Sequence, residues 1–271
     1  MKPGTIITST QNPKIKSLLA LEKPRERRKQ CLFTVEGVRE IQLALNAGYK
    51  IGNLFYCVDM VHLKDIESLG LEERLLIPVA TEVFEKIAIR ESTGGLLAVA
   101  EQKTHLLDHI RLSKNPLVLV LESVEKPGNL GAILRTADAA AVDAVIICDP
   151  QTDFYNPNVI RSSVGCVFTN QLAACTSEQA IDWLKKNRLP IYCTYLNAAK
   201  SYHELDYTKP VAIVLGTEAT GLSEIWIRNS TANIIIPMGG KIDSLNVSNA
   251  AAIMAFEVRR QRILSRNFAS L

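Results

Sequence analysis

Five stretches of this chain are apolar almost without interruption: L-V-L-V-L at 117–121, A-V-I-I-C at 144–148, I-Y-C-T-Y-L at 191–196, V-A-I-V-L at 211–215 and I-I-I-P-M at 234–238. A strand with one wet face alternates apolar and polar residues. A continuous run requires burial on both faces, which a parallel sheet clad by helices supplies. The spacing between the runs predicts helices over 129–141, 177–187 and 222–229, and a long last helix from about 247 to 265. Residues 117–271 are therefore expected as an α/β domain built on a parallel sheet.

The first hundred residues have a finer grain. Asn12-Pro13 reads as a helix start and Pro24 as a break, so residues 1–30 are expected as a helical arm. From Cys31 the chain alternates. C-L-F-T-V, N-L-F-Y-C-V, L-L-I-P-V and G-G-L-L-A-V-A read as strands. G-V-R-E-I-Q-L-A-L-N-A, closed by Gly48, and T-E-V-F-E-K-I-A-I, capped by Thr81, read as helices. These make a small α/β domain over 31–101. The polar stretch 102–116, ending in Asn-Pro, is the expected linker.

Charge is unevenly distributed. The chain carries a net +3, but its first thirty residues hold Lys2, Lys14, Lys16, Lys23, Arg25, Arg27, Arg28 and Lys29 against Glu22 and Glu26. That surplus of six leaves the remaining residues at −3. A basic arm on a near-neutral body suits a polyanion, and a solvated helix face is the alternative. The six cysteines have no C-x-x-C spacing, and several sit inside apolar runs, so they read as reduced core residues. His105 and His109 stand four apart without a third ligand nearby, so no metal site is expected. No apolar run reaches the length of a membrane span and no signal-peptide core opens the chain, which reads as cytoplasmic.

Ligands of parallel α/β sheets bind beyond the carboxyl ends of the strands, and three segments there are rich in glycine and polar residues. In E-S-V-E-K-P-G-N-L-G-A-I-L-R-T-A (122–137), Gly128 and Gly131 permit close backbone approach and Asn129 is placed to cap a helix. Arg135, a turn after Gly131, shares its face and suits a phosphate, although on this segment alone a surface arginine on a capped helix is the favoured alternative. In L-G-T-E-A-T-G-L-S (215–223), Gly216 follows a strand, Glu218 brings a carboxylate to the sheet's edge or serves only a helix N-terminus, and Gly221 ends the turn. In I-P-M-G-G-K-I-D-S-L-N-V-S-N (236–249), Ser244, Asn246 and Ser248 crowd the start of the last helix, more candidate caps than one helix needs. Neither G-x-G-x-x-G nor a P-loop is present, which disfavours dinucleotide and nucleoside-triphosphate chemistry.

Taken together, these segments resemble the three motifs of the SpoU (TrmH-like) branch of the SPOUT methyltransferases. The first is similar to N-x-G-x-x-x-R-T, here Asn129, Gly131, Arg135 and Thr136. The second resembles L-G-x-E-x-x-G-L, here Leu215, Gly216, Glu218, Gly221 and Leu222. The third is similar to I-P-M-x-G…S-L-N-V-S-x-A, from Ile236 to Ala250. N-P-N-V-I-R-S-S-V-G at 156–165 and the tail from Phe256 to Arg262 also fit, so the likeness spans 117–265. Residues 31–100 resemble, less specifically, the small substrate-binding domain of many members.

The resemblance implies a deep trefoil knot in the C-terminal domain, a bent S-adenosyl-L-methionine bound in it, and a homodimer with active sites near the interface. Pattern alone would not have predicted a knot. It further implies that Leu215, Gly216, Ile236, Met238 and Leu245 hold the cofactor, and that Asn129, Arg135, Glu218, Ser244 and Asn246 form the catalytic neighbourhood. The expected reaction moves the sulfonium methyl to a ribose 2′-hydroxyl of RNA. Lys14, Lys16, Arg25, Arg27, Arg28 and Lys29 are expected to meet the RNA backbone. Large-subunit ribosomal RNA is the favoured substrate. Transfer RNA is the rival within the family, and a non-catalytic RNA-binding protein on the same scaffold is the rival outside it.

Overall fold

The computed structural model describes residues 5–89, 94–197, 200–217 and 220–268, with side chains to residue 265. The chain divides into two compact units: Met1–Thr104 with Asp153–Thr169, and His105–Thr152 with Asn170–Leu271. No described helix is long and apolar enough to cross a membrane.

The first unit begins with α1 (Pro13–Ala20) and α2 (Pro24–Gln30). Asn12 caps α1, its side chain accepting from the Lys14 amide, with proline at the first helical position. Then come β1 (Leu32–Glu36), α3 (Val38–Asn46), β2 (Ile51–Cys57), α4 (Leu63–Ser68), β3 (Leu76–Val79), α5 (Thr81–Ile87) and β4 (Leu96–Glu101). The sheet order is β1-β4-β2-β3, with β2 and β3 parallel and the other pairs antiparallel. Ile15, Leu18 and Leu21 pack with Phe55, Ile77, Phe84 and Leu97 in one core. The basic arm is thus half embedded: its apolar face is structural and only its other face is wet. Thr81 does not cap α5. It is the first helical residue, and its hydroxyl donates to Asp59.

The segment 153–169 falls between two strands of the C-terminal domain in sequence, yet it belongs to the compact first unit. It carries Tyr155 and Phe168, whose rings pack on Phe33 and Tyr49, with the Phe33–Tyr155 centroids 4.2 Å apart. It also carries Asp153, which pairs with Arg27 at 2.6 Å. The helix α7 of this segment (Pro157–Ser162) packs on β1.

The second unit holds β5 (Leu117–Glu122), α6 (Pro127–Ala139), β6 (Ala144–Cys148), β7 (Leu172–Cys175), α8 (Ser177–Lys186), β8 (Ile191–Thr194), β9 (Lys200–Ser201), β10 (Val211–Leu215), α9 (Glu224–Asn229), β11 (Ala232–Ile235) and α10 (Val247–Phe268). Its strands run β7-β6-β5-β10-β8-β11-β9, every pairing parallel. The expected two-sided burial holds: β5, β6 and β10 are buried along their whole length. One face packs against α8 and α9 through Ile181, Leu184 and Trp226, and α10 packs on α6, β5 and β10. The order of insertion matters. β10 enters between β5 and β8, and β11 between β8 and β9, so late strands fill interior places rather than adding at an edge. The apolar run I-I-I-P-M does not continue as strand to its end. β11 stops at Ile235, ahead of Pro237, which has no amide to give a ladder.

Candidate functional site

The carboxyl ends of β8, β10 and β11 surround a cavity of 420 Å³ inside the second unit. That is within the range of small-molecule sites. The Thr194–Asn197 turn forms one side, Gly216, Thr217, Thr220 and Gly221 a second, and Ile234–Ile236, Met238 and Asp243–Leu245 a third, with Val247 and Ala250 of α10 beside them. Leu215, Gly216, Ile236, Met238 and Leu245, the five positions expected to hold a cofactor, all line it.

The glycine turn after β10 is closed by its own backbone. Thr217 and Gly221 exchange amide-to-carbonyl bonds of 3.2 and 3.1 Å, and the Thr217 hydroxyl accepts from the Thr220 amide at 3.0 Å. Gly221 has φ +67°, a conformation glycine takes without strain. A Cβ on Gly216 would stand 2.3 Å from the Gly221 carbonyl carbon and 2.6 Å from the Leu222 nitrogen. Gly216 is therefore required by close approach, whereas a Cβ at Gly128, Gly239 or Gly240 would meet nothing within 4 Å.

At the start of α10 the crowd of caps resolves. Asn246 accepts through Oδ1 from the Ser248 amide at 2.9 Å and from the Ser248 hydroxyl at 2.6 Å. Its Nδ2 donates to Asn129 Oδ1 at 3.1 Å. Two of the expected catalytic residues are thus one linked pair. Asn129 is not the cap of α6. The helix starts at Pro127 with Lys126 in the cap position, which puts Asn129 inside the first turn. Ser244 lines the cavity, and its hydroxyl donates to Asp243 Oδ1 at 3.2 Å. Arg135 is exposed on α6 and does not line the cavity. Glu218 lies outside the described residues.

Of the six basic residues expected to meet RNA, Lys14, Lys16, Arg25, Arg28 and Lys29 are exposed. Arg27 is not. It is 1% exposed and donates to the Leu21 and Glu22 carbonyls and to Asp153. The turn of α2 that exposes its neighbours points Arg27 inward, so it holds the fold rather than a ligand.

Sequence reasoning missed the Thr194–Asn197 wall and Asp243, and it gave Glu122 no role. The rule that ligands sit at strand carboxyl ends would have pointed to Thr194, since β8 is central. Among the described residues no cysteine lines the cavity, and burial pushes the Cys193 thiol up to about 12.

The cavity therefore has apolar walls, a glycine-closed turn and a polar rim of Asp243 and Ser244, which suits a ligand with both apolar and charged parts. Comparison with known proteins agrees. The SpoU rRNA Methylase family matches residues 116–256, and the MRM3-like substrate binding domain matches residues 12–98. The 23S rRNA (guanosine(2553)-2′-O)-methyltransferase RlmP of Bacillus subtilis is 28% identical over 93% of this chain and 98% of its own. A solved RNA 2′-O ribose methyltransferase superposes with a TM-score of 0.85 at 38% identity, covering 96% of this chain and 100% of its own. The AdoMet-bound rRNA methyltransferase of Sinorhizobium meliloti gives 0.87 at 31% identity, covering 94% and 97%. The expected fold class holds, with a knotted parallel sheet in the C-terminal part and a small α/β domain before it. On the family match and the extent of these likenesses, this chain belongs to the SpoU rRNA Methylase family.

Proposed function

We propose that this protein transfers a methyl group from S-adenosyl-L-methionine to a ribose 2′-hydroxyl of large-subunit ribosomal RNA, in the cytoplasm. The observation that carries the reading is the convergence of Leu215, Gly216, Ile236, Met238 and Leu245 on one cavity. Its apolar walls suit an adenine ring, and Asp243 suits a cationic group. The bound cofactor supplies a methyl already activated on sulfonium, so the protein's part is alignment and the removal of one proton.

Asn129 and Asn246, joined through their amides, hold the start of α6 against the start of α10. A guanidinium is a donor-only group with no acceptor site for a proton, so Arg135 is not read as the base. It is a clamp for the phosphate next to the target ribose rather than a base. Glu218, another substrate group or water takes the proton, the alternative role for Glu218 being to order its loop. We further propose that the enzyme is a homodimer. Phe256, Ile263 and Leu264 leave an exposed apolar stripe along α10, a face fit for a second copy. The match to a substrate-binding domain favours ribosomal over transfer RNA, whose family modifiers commonly lack that domain.

Tritiated methyl donor with unmodified large-subunit RNA is expected to label one nucleotide, at a bond resistant to alkali. Label on a base, or on transfer RNA alone, would overturn the reading. The exposed cations of the first unit should hold the RNA backbone. Replacing Lys14, Lys16, Arg25, Arg28 and Lys29 together with alanine should flatten the slope of log affinity against log salt by about three to four. Cofactor affinity should be unchanged. A slope equal to that of the wild type would assign those residues to solvation. Truncation of residues 1–30 is a poorer test, because it removes Ile15, Leu18 and Leu21 from the core.

A further inference from the structure

Glu122, the last residue of β5, is buried and lies outside the cavity. Buried carboxylates need partners, and this one finds them in the turn that follows β10. Its Oε2 accepts from the Ser223 amide at 2.8 Å and its Oε1 from the Ser223 hydroxyl at 2.5 Å. Ser223 holds the cap position of α9, yet its side chain makes no capping bond there. Its hydroxyl is turned to the carboxylate instead. Ser177 lies 3.4 Å from Glu122 Oε1, but its single proton has a nearer acceptor in Asp149 Oδ2 at 2.6 Å, and Trp226 Nε1 donates to it at 3.0 Å. Ser223 is thus the main donor to Glu122. Neither carboxyl oxygen is left without a partner, unlike Asp153 Oδ1 in the first unit.

The consequence reaches the cavity through a short path. Ser223 follows Gly221 and Leu222, and Gly221 with Thr220 lines the cavity. The turn is held at its start by β10 and across its neck by the Thr217–Gly221 pair. On its return side, the bonds from Ser223 tie it to β5, the strand next to β10 in the sheet. We infer that Glu122 is a positioning residue for the methyl donor: through Ser223 it fixes the return arm of the glycine turn against the cofactor cavity. This rests on the reading of the cavity given above. Glu122 is buried and does not line the cavity, so its removal should weaken cofactor binding while the chemical step at saturating cofactor stays intact.

The test is calorimetric titration of the full-length protein with S-adenosyl-L-methionine, beside steady-state kinetics and thermal unfolding. Glu122→Ala orphans the Ser223 donors and should raise the cofactor Kd about tenfold. The kcat at saturating cofactor and the KM for RNA should stay within about twofold. Glu122→Gln should restore most of the affinity, since its carbonyl can accept from the Ser223 amide while its amide donates to the Ser223 hydroxyl. Ser223→Ala should raise Kd about threefold and add nothing to Glu122→Ala, because both remove one link. A purely structural role predicts a lower unfolding temperature with wild-type Kd in both alanine variants, which would overturn the inference. If Glu122→Ala does not fold, Ser223→Ala decides alone, and wild-type affinity there overturns it. Absence of cofactor binding by the wild type would instead refute the reading of the cavity, and this inference with it.

Discussion

Arg135→Ala is expected to slow methyl transfer by about a thousandfold, the upper range seen when one preorganised charge donor is lost from an active site. The cofactor Kd should move less than twofold. The expectation rests on where the side chain stands. Arg135 is exposed on α6 and does not reach the cofactor cavity, so it has no part in holding the donor. It lies on the helix whose first turn carries Asn129, and Asn129 is bonded to Asn246 at the edge of the cavity-forming segment. A guanidinium there can take a phosphate with two parallel bonds and so bring a neighbouring 2′-hydroxyl into line. Arg135→Lys separates charge from geometry. A lysine keeps the charge but loses the fork, and should recover only a small part of the rate. Single-turnover rates at saturating RNA, with cofactor binding measured in parallel, read both. Wild-type turnover in the alanine variant would sink the proposal, and a matching loss of cofactor affinity would move Arg135 into the donor site.

What the sequence disclosed and what it withheld follow one physical division. Strands β5, β6 and β10 were legible because burial on both faces leaves a mark in every residue, and the helices between them were legible because one face of each is apolar. The short β7 and the two-residue β9 left no mark, since such pieces exist only through their neighbours. The segment 153–169 reads as part of the C-terminal domain because the chain passes through it between two of that domain's strands. Its adherence to the first unit depends on Tyr155, Phe168 and Asp153 meeting residues more than a hundred positions away. Arg27 shows the same limit in one side chain: a charge count places it with Arg25 and Arg28, and only the rotation of α2 separates them. Near the site, the glycines and the surplus of caps were visible as chemistry. Which of Ser244, Asn246 and Ser248 caps α10, and that Asn246 then reaches Asn129, are matters of geometry. The knot is legible only through the family. Each strand in the second unit looks ordinary in sequence, and the strand order, with β10 between β5 and β8 and β11 between β8 and β9, is a matter of pairing that no single strand records.

Gly216→Ala should weaken donor binding by about a hundredfold, which corresponds to about 2.8 kcal/mol of lost binding free energy. The added Cβ would sit 2.3 Å from one backbone carbon and 2.4 Å from one backbone oxygen of Gly221. Real Cβ contacts are not that short, and backbone on the far side of a closed turn cannot step aside as a side-chain tip does. Relief requires breaking the Thr217–Gly221 bonds or pulling Ser223 from Glu122. Both displace Thr220 and Gly221, which line the cavity. Unfolding temperature should fall by only a few degrees, because β10 itself is paired on both sides by β5 and β8 and keeps its register. Alanine at Gly128, where a Cβ meets nothing within 4 Å, offers the steric contrast. Isothermal titration of Gly216→Ala with the methyl donor is decisive. A Kd within threefold of wild type would mean that the turn can open without disturbing the donor, and that the cavity's shape is set elsewhere.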